Sequence, residues 1–184
     1  AAMGALATDK ALRALDGLAA DATPDHRRAC RPFAANCGFT IGESAQFLVL
    51  FDDALAVETG AEIFGAAADV FINADGYKKS ISGPGVGNYL TMARAAACAR
   101  AIVGEERLRR GGLVQAHGTG TPQNRVTESR ILSRVAQAFR IEAWPVAAIK
   151  AYVGHSIGAA SADQVVATLG TWAHGWLPGI VTTA

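Results

Sequence analysis

The sequence predicts an α/β fold, and three observations carry that expectation. A strand–turn–helix unit occurs twice in the second half of the chain, over Leu113–Phe139 and again over Val146–Trp172. The run Phe47–Phe51 (FLVLF) is apolar without interruption, as suits a strand covered on both faces. Glycine supplies 20 of 184 residues, above the usual share of about 7%, and suits sharp turns and close backbone approach. Strands alternating with helices of this length argue for a mainly parallel sheet with helices outside it. At 184 residues the chain fits one domain and is too short for two ordinary ones.

Taken in order, Thr8–Ala20 carries Leu12, Leu15 and Leu18 at three-residue steps, which predicts a helix with one buried face. Residues 22–40 mix Pro, Asn, Gly and charges without a period and read as a long loop, a length that usually serves function or wraps around the domain. Phe47–Phe51 is the first expected strand, and Glu62–Ile72 is an extended stretch expected to pair with it after the Thr59–Gly60 turn. Gly83–Asn88 (GPGVGN) opens an expected helix over 88–109. The first repeat unit then gives strand Leu113–Ala116, turn His117–Pro122 and helix Val126–Phe139; the second gives strand Val146–Ile149, turn Lys150–Gly154 and helix His155–Trp172. There is no repeat of fixed period, and a further strand is expected after Pro178–Ala184.

Composition narrows the function. The 17 basic and 16 acidic residues leave a net charge of +1, without the basic surplus of a nucleic-acid or anionic-membrane binder. No apolar run reaches the length of a membrane span, and the start of the chain has no signal-peptide pattern. Cysteines at 30, 37 and 98 form no CxxC and no disulfide framework, so a reducing cytoplasm is the expected location. No metal site is expected.

In open parallel sheets ligands bind beyond the carboxyl ends of the strands, and both units put titratable groups there: His117 after LVQA, and Lys150 with His155 after VAAI. Gly118 and Gly120 allow close backbone approach, while Thr119 and Thr121 offer hydroxyls to a substrate chain. His155 and Ser156 fall at an expected helix start, which favours negative charge. Two imidazoles and an ammonium around one point suit a transition state that develops charge on a carbonyl oxygen.

These residues sit in strings that resemble the β-ketoacyl-acyl-carrier-protein synthases: AHGTGT (Ala116–Thr121) with Glu128 downstream, KAYVGHSIGAA (Lys150–Ala160), ACRPF…GFTIGESAQFLVL (Ala29–Leu50) and NADGYKKSI…GPGVGNY. The resemblance implies a thiolase-like fold, of which residues 1–184 are a single truncated unit from the C-terminal half, and a homodimer when complete. It implies a decarboxylative Claisen condensation in fatty-acid biosynthesis. A cysteine takes the acyl chain as a thioester, malonyl carrier protein loses carbon dioxide, and the enolate attacks the acyl-cysteine. His117 and His155 would then assist decarboxylation and hold the enolate oxygen. Lys150 would fix their charge and position, paired with Glu128, and Thr119 and Thr121 would contact the pantetheine arm of the acyl carrier protein. No cofactor is implied beyond that carried phosphopantetheine.

Departures from the family pattern are equally definite. No TACSSS-like nucleophile string occurs, so the nucleophilic cysteine is expected upstream of residue 1, and the glycine-rich segment near the family's C-terminus is also missing. Asn124 and Arg125 stand where the family often has Gly-Asp. The chain is therefore expected to be inactive alone. Within the fold, a polyketide or polyunsaturated-fatty-acid synthase module and a non-catalytic chain-length-factor-like subunit remain open. A thiolase acting on coenzyme A is opposed by HGTGT.

Plainer readings compete. GHSIG (Gly154–Gly158) matches a hydrolase elbow with Ser156 as nucleophile, but Lys150–Val153 intervene after the strand, and only Asp163 and His174 remain as partners. Gly83–Asn88 lacks the Lys and Ser/Thr that complete a phosphate loop. Thr119 and Thr121 also suit turn closure through their hydroxyls. His26 and His174 read as structural, Cys98 as a small apolar residue of an Ala-rich helix, and Arg107, Arg109 and Arg110 as a solvated helix end rather than a carrier-protein dock.

Overall fold

A computed structural model describes residues 30–36, 38–74, 85–180 and 182. The expected helix at Thr8–Ala20, His26, Cys37, most of the NADGYKKSI run and the first two residues of Gly83–Asn88 lie outside the described residues.

The second half follows the expected pattern. Strand β1 (Val114–Gln115) and strand β2 (Val146–Ala147) run parallel, with Val114 opposite Val146 and Gln115 opposite Ala147. Flanking bonds from Val114 N–H to the Pro145 carbonyl (2.9 Å) and from Ala116 N–H to the Ala147 carbonyl (2.8 Å) extend the ladder. Parallel neighbours require a crossover, here helix α4 (Pro122–Phe139). It begins four residues before the expected start, because Thr121 caps it by accepting from Asn124 N–H and Pro122 enters at the first turn, where no N–H is needed. Its buried Thr127, Ile131 and Val135 recur at four-residue steps and face the core.

Three expectations are corrected. The single helix over 88–109 is two: α2 (Val86–Val103) and α3 (Glu105–Gly111), broken at Gly104, whose φ of 83° and ψ of 165° lie outside any helical region. The turn Lys150–Gly154 contains a one-turn helix α5 (Lys150–Val153), and the long helix α6 (Ala160–His174) starts five residues after His155, following a 3₁₀ turn at Ile157–Ala159. His155 itself is extended, in a parallel bridge with Ile41. The helix-start argument for an anion site at His155 therefore does not hold.

The largest departure is over residues 43–74. Neither Phe47–Phe51 nor Glu62–Ile72 forms a strand; the only regular element there is α1 (Asp53–Glu58), capped by Asp52, whose side chain accepts from Leu55 N–H at 2.8 Å. Among the described residues nothing pairs with either stretch, and Phe47 is 95% and Leu50 80% exposed. A continuous apolar run reports that a segment needs cover on both faces, but a strand also needs a neighbour to receive its ladder bonds.

The buried apolar residues include Ala116, Ala147 and Ala148 at and beside β1 and β2, Ile131 and Val135 on α4, and Ala56, Ala96, Leu108, Ile141 and Ala160. No helix is long and apolar enough to cross a membrane among the described residues.

Candidate active site

Three segments that are distant in sequence converge at the carboxyl ends of β1 and β2. Gly38 N–H donates to the Gly120 carbonyl at 2.9 Å, His155 N–H to the Thr40 carbonyl at 2.7 Å, and Gly42 N–H to the His155 carbonyl at 3.1 Å. The stretch 38–42 thus lies between the turn after β1 and the turn after β2, and bonds to both. Two glycines make this possible. A Cβ on Gly120 would stand 2.0 Å from the Gly38 carbonyl oxygen, and one on Gly154 (φ +72°) 2.8 Å from that of Thr40; only a residue without a side chain fits either place.

His117 and His155 meet edge to face, with ring centroids 5.5 Å apart and planes at 84°. Phe39 flanks His155 from the other segment, with centroids 5.3 Å apart. Ile157 N–H donates to His155 Nδ1 at 3.0 Å, so in the neutral ring the hydrogen sits on Nε2. That bond depends on Ile157 adopting φ +56°. A β-branched residue in the left-handed region costs about 1–2 kcal/mol, strain of the kind that collects where geometry serves function. Burial, then the nearby Lys150 charge, then His117 lower the His155 pKa to about 4, against a smaller opposing pull from Asp163. At neutral pH His155 is an uncharged Nε2–H donor.

His117 has its pKa lowered, first by burial and then by the Lys150 charge, while Glu128 opposes the shift. Its backbone is held at two points. Glu128 accepts from His117 N–H at 2.6 Å and from Gly118 N–H at 2.8 Å, one through each carboxylate oxygen. Lys150, 2% exposed, donates from Nζ to the His117 carbonyl at 2.7 Å.

The expected Lys150–Glu128 pair is corrected: no direct ion pair joins them among the described residues. Each instead grips the backbone of the His117 turn from a different side. Burying an ammonium costs several kcal/mol, and one charge-assisted hydrogen bond returns about 1.5–3 kcal/mol. Burial accordingly lowers the Lys150 pKa as the largest influence, with Glu128, Asp163 and Cys30 opposing it through space.

Thr119 and Thr121 are 4% and 1% exposed, and their hydroxyl oxygens lie 2.9 Å apart in a mutual hydrogen bond. This geometry is turn closure. Thr121 Oγ1 also accepts from Asn124 N–H and so caps α4.

The sequence reading missed Asp163 as an organising group. In the first turn of α6, it accepts from Ser44 Oγ at 3.0 Å and, through short bonds, from Gln46 Nε2 and Ser156 Oγ. An acidic residue at a helix start was the available signal, but Ser44 and Gln46 come from a segment 119 and 117 residues away. Gln164, next to it, donates to the Ala116 carbonyl at the end of β1. Cys30 is buried at φ +49°, its sulfur accepting from Thr40 N–H at 2.9 Å.

The hydrolase alternative fails on geometry. Ser156 is buried and bonds directly to Asp163, the His155 Nδ1 atom is occupied by Ile157 N–H, and His174 lies eleven residues beyond Asp163 on the same helix, a rise of about 16 Å. No cluster of three or more His, Cys, Asp or Glu suited to a metal occurs among the described residues. An open groove of about 830 Å³, lined by Tyr89, Ser129, Arg130, Ser133, Arg134 and Gln137, includes neither histidine.

Comparison with known proteins agrees with the letter patterns. Residues 64–183 match the family described as β-ketoacyl synthase, C-terminal domain. The chain is 60% identical over 181 residues to the β-ketoacyl-[acyl-carrier-protein] synthase FabY of Pseudomonas aeruginosa, covering 98% of this chain and 28% of that protein. A putative polyketide β-ketoacyl synthase 1 of Streptomyces virginiae is 33% identical, over 79% of this chain and 34% of its own length. The crystal structure of the P. aeruginosa ketosynthase FabY superposes with a TM-score of 0.81 across 98% of this chain, so the chain shares its α/β fold. The chain spans about a third or less of the length of these relatives.

Proposed function

This chain belongs to the β-ketoacyl synthases, as their C-terminal domain, and on that premise we propose that it supplies the decarboxylation half of a fatty-acid condensing enzyme. The substrate is malonyl thioester on an acyl carrier protein, as the names of the relatives suggest. The nucleophilic cysteine belongs to the rest of a longer protein, and residues 1–184 alone do not complete the reaction.

One observation carries the reading: two imidazoles 5.5 Å apart, one a neutral Nε2–H donor, beside a buried ammonium. Loss of carbon dioxide from malonyl thioester leaves the electron pair of the broken C–C bond on the α-carbon, delocalised onto the thioester oxygen as an enolate. Preorganised N–H donors aimed at that oxygen stabilise it most in the transition state, where the charge forms. His155 offers Nε2–H without needing to be protonated, His117 stands edge to face beside it, and the Lys150 charge adds a favourable field without touching substrate. The enolate carbon then attacks the acyl-cysteine, forming the new C–C bond and releasing the cysteine thiolate. The step as proposed draws on no metal and no redox cofactor. The complete enzyme works in the cytoplasm as a homodimer on carrier-protein-borne chains.

The test is His117→Ala and His155→Ala in the full-length protein. Each is expected to lower malonyl decarboxylation by about 10²–10³-fold, the scale of losing one oxyanion donor, while the acyl-cysteine still forms, as read by intact mass. Decarboxylation at the parent rate in either variant would remove these roles.

A further inference from the structure

The residues Asn124 and Arg125, where the chain leaves its family's usual pattern, are not idle in the structure. Arg125 Nη1 donates to the Ala34 carbonyl at 2.6 Å, tying α4 to the 30–36 segment. Asn124 has a position closer to the chemistry. Its Nδ2 donates to Glu128 Oε2 at 2.9 Å, one turn along α4. That same oxygen accepts from Gly118 N–H at 2.8 Å, and Oε1 accepts from His117 N–H at 2.6 Å. Glu128 therefore receives three hydrogen bonds, two from the turn that carries the imidazole and one from Asn124.

We propose that Asn124 is a positioning residue for His117, acting through Glu128: its amide fixes the carboxylate so that both oxygens stay bound to the backbone of the His117–Gly118 turn. A glutamate has three side-chain torsions to hold, and a carboxylate bound only by the turn it supports moves with that turn. A third donor from the rigid first turn of α4 ties the carboxylate to the helix. It thus makes the turn's position a property of the helix frame. This inference rests on the reading of His117 given above.

Helix chemistry supplies a sharp discriminator. Asn124 is the third residue of α4 after the Thr121 cap, where a carboxylate is favourable to the helix itself. If Asn124 serves only the helix, Asn124→Asp will equal or outperform Asn124→Ala. If it serves Glu128, Asp is the worse substitution, because it sets a second carboxylate against the first.

In the full-length enzyme Asn124→Ala is expected to lower kcat for malonyl decarboxylation about tenfold, the worth of a hydrogen bond to a charged acceptor, with KM nearly unchanged. Asn124→Asp is expected to lower it further. In a Glu128→Gln background Asn124→Ala should cost less than about twofold, since residues acting as one unit are not additive. Amide hydrogen exchange provides a readout that does not depend on activity. In Asn124→Asp the peptide covering 116–121 should exchange faster, while the one covering 146–154 should not.

Activity of Asp at or above Ala, an undiminished Ala effect in the Glu128→Gln background, or unchanged exchange at 116–121 would each overturn the proposal. Retained decarboxylation in His117→Ala would instead defeat the functional reading, and the exchange result would still judge the clamp.

Discussion

Two parts of the molecule carry signals of similar strength in sequence and end in opposite conditions. The frame formed by residues 38–42, the turn after β1 and the turn after β2 is rich in polar groups, yet it buries Thr119, Thr121, Lys150 and Ser156 and gives each a partner. The stretch 43–74 is rich in apolar groups, yet it leaves Phe47, Val49, Leu50, Phe64, Val70 and Ile72 exposed. Hydrogen bonds are short and directional, so a few turns can close a polar site from within. Apolar burial needs an opposing surface of matching area, and each large side chain left in water forgoes about 1.5–3 kcal/mol. Exposed apolar area of this extent marks a surface made to be covered.

Experiments can break this comparison from either side. The largest expected effect is at the closed frame. Gly120→Ala would drive a Cβ to 2.0 Å from the Gly38 carbonyl and 2.8 Å from Cys30 N. Both are backbone atoms that cannot swing aside, so a loss of about 3 kcal/mol or more is expected, read by denaturant unfolding of the full-length protein. A loss under 1 kcal/mol would mean that the frame is looser than the hydrogen bonds imply.

The open stretch is probed by Phe47→Ala and Leu50→Ala, made both in the 184-residue chain and in the full-length protein. In the short chain both side chains are in water, and a change within about 0.5 kcal/mol is expected, with reduced aggregation by light scattering. In the full-length protein burial by the remainder of the chain or a second copy predicts a loss of about 2–5 kcal/mol for each. Equal, small effects in both contexts would show that the apolar run has no cover to lose.

A further test is electrostatic. With its pKa lowered to about 4, His155 stays neutral in the folded protein across a range where the unfolded chain takes up a proton. The unfolded state then binds more protons between pH 6.5 and about 4, so the His155 contribution is fully present above about pH 6.5 and declines as the pH falls towards 4. An NMR titration of the His155 ring should show a midpoint well below 6. A midpoint near the ordinary histidine value would place the ring in a wetter, less constrained site.

The comparison also explains what could be read in advance. The two strand–turn–helix units, and His117, Lys150 and His155 at the strand ends, were legible because each rests on local chemistry within a few residues. The break at Gly104 was equally local, and its glycine was overlooked as a stop signal. The Ile157–His155 bond was not legible, since nothing in the letters announces that an isoleucine will take a positive φ. Nor was the pairing of Asp163 with Ser44 and Gln46, which exists only once distant segments are folded together.

By itself, the sequence determined the alternation of strand and helix, the glycines that let turns approach, and the residue types gathered at the ends of β1 and β2. These follow from backbone sterics and side-chain period, which act over a few residues. Tertiary structure alone decided that Glu128 and Lys150 grip the His117 turn rather than each other, that the threonine hydroxyls face inward, and that FLVLF finds no ladder partner among the described residues. Each of those outcomes depends on which distant group is within hydrogen-bond reach, and on whether a neighbouring strand exists to complete the ladder.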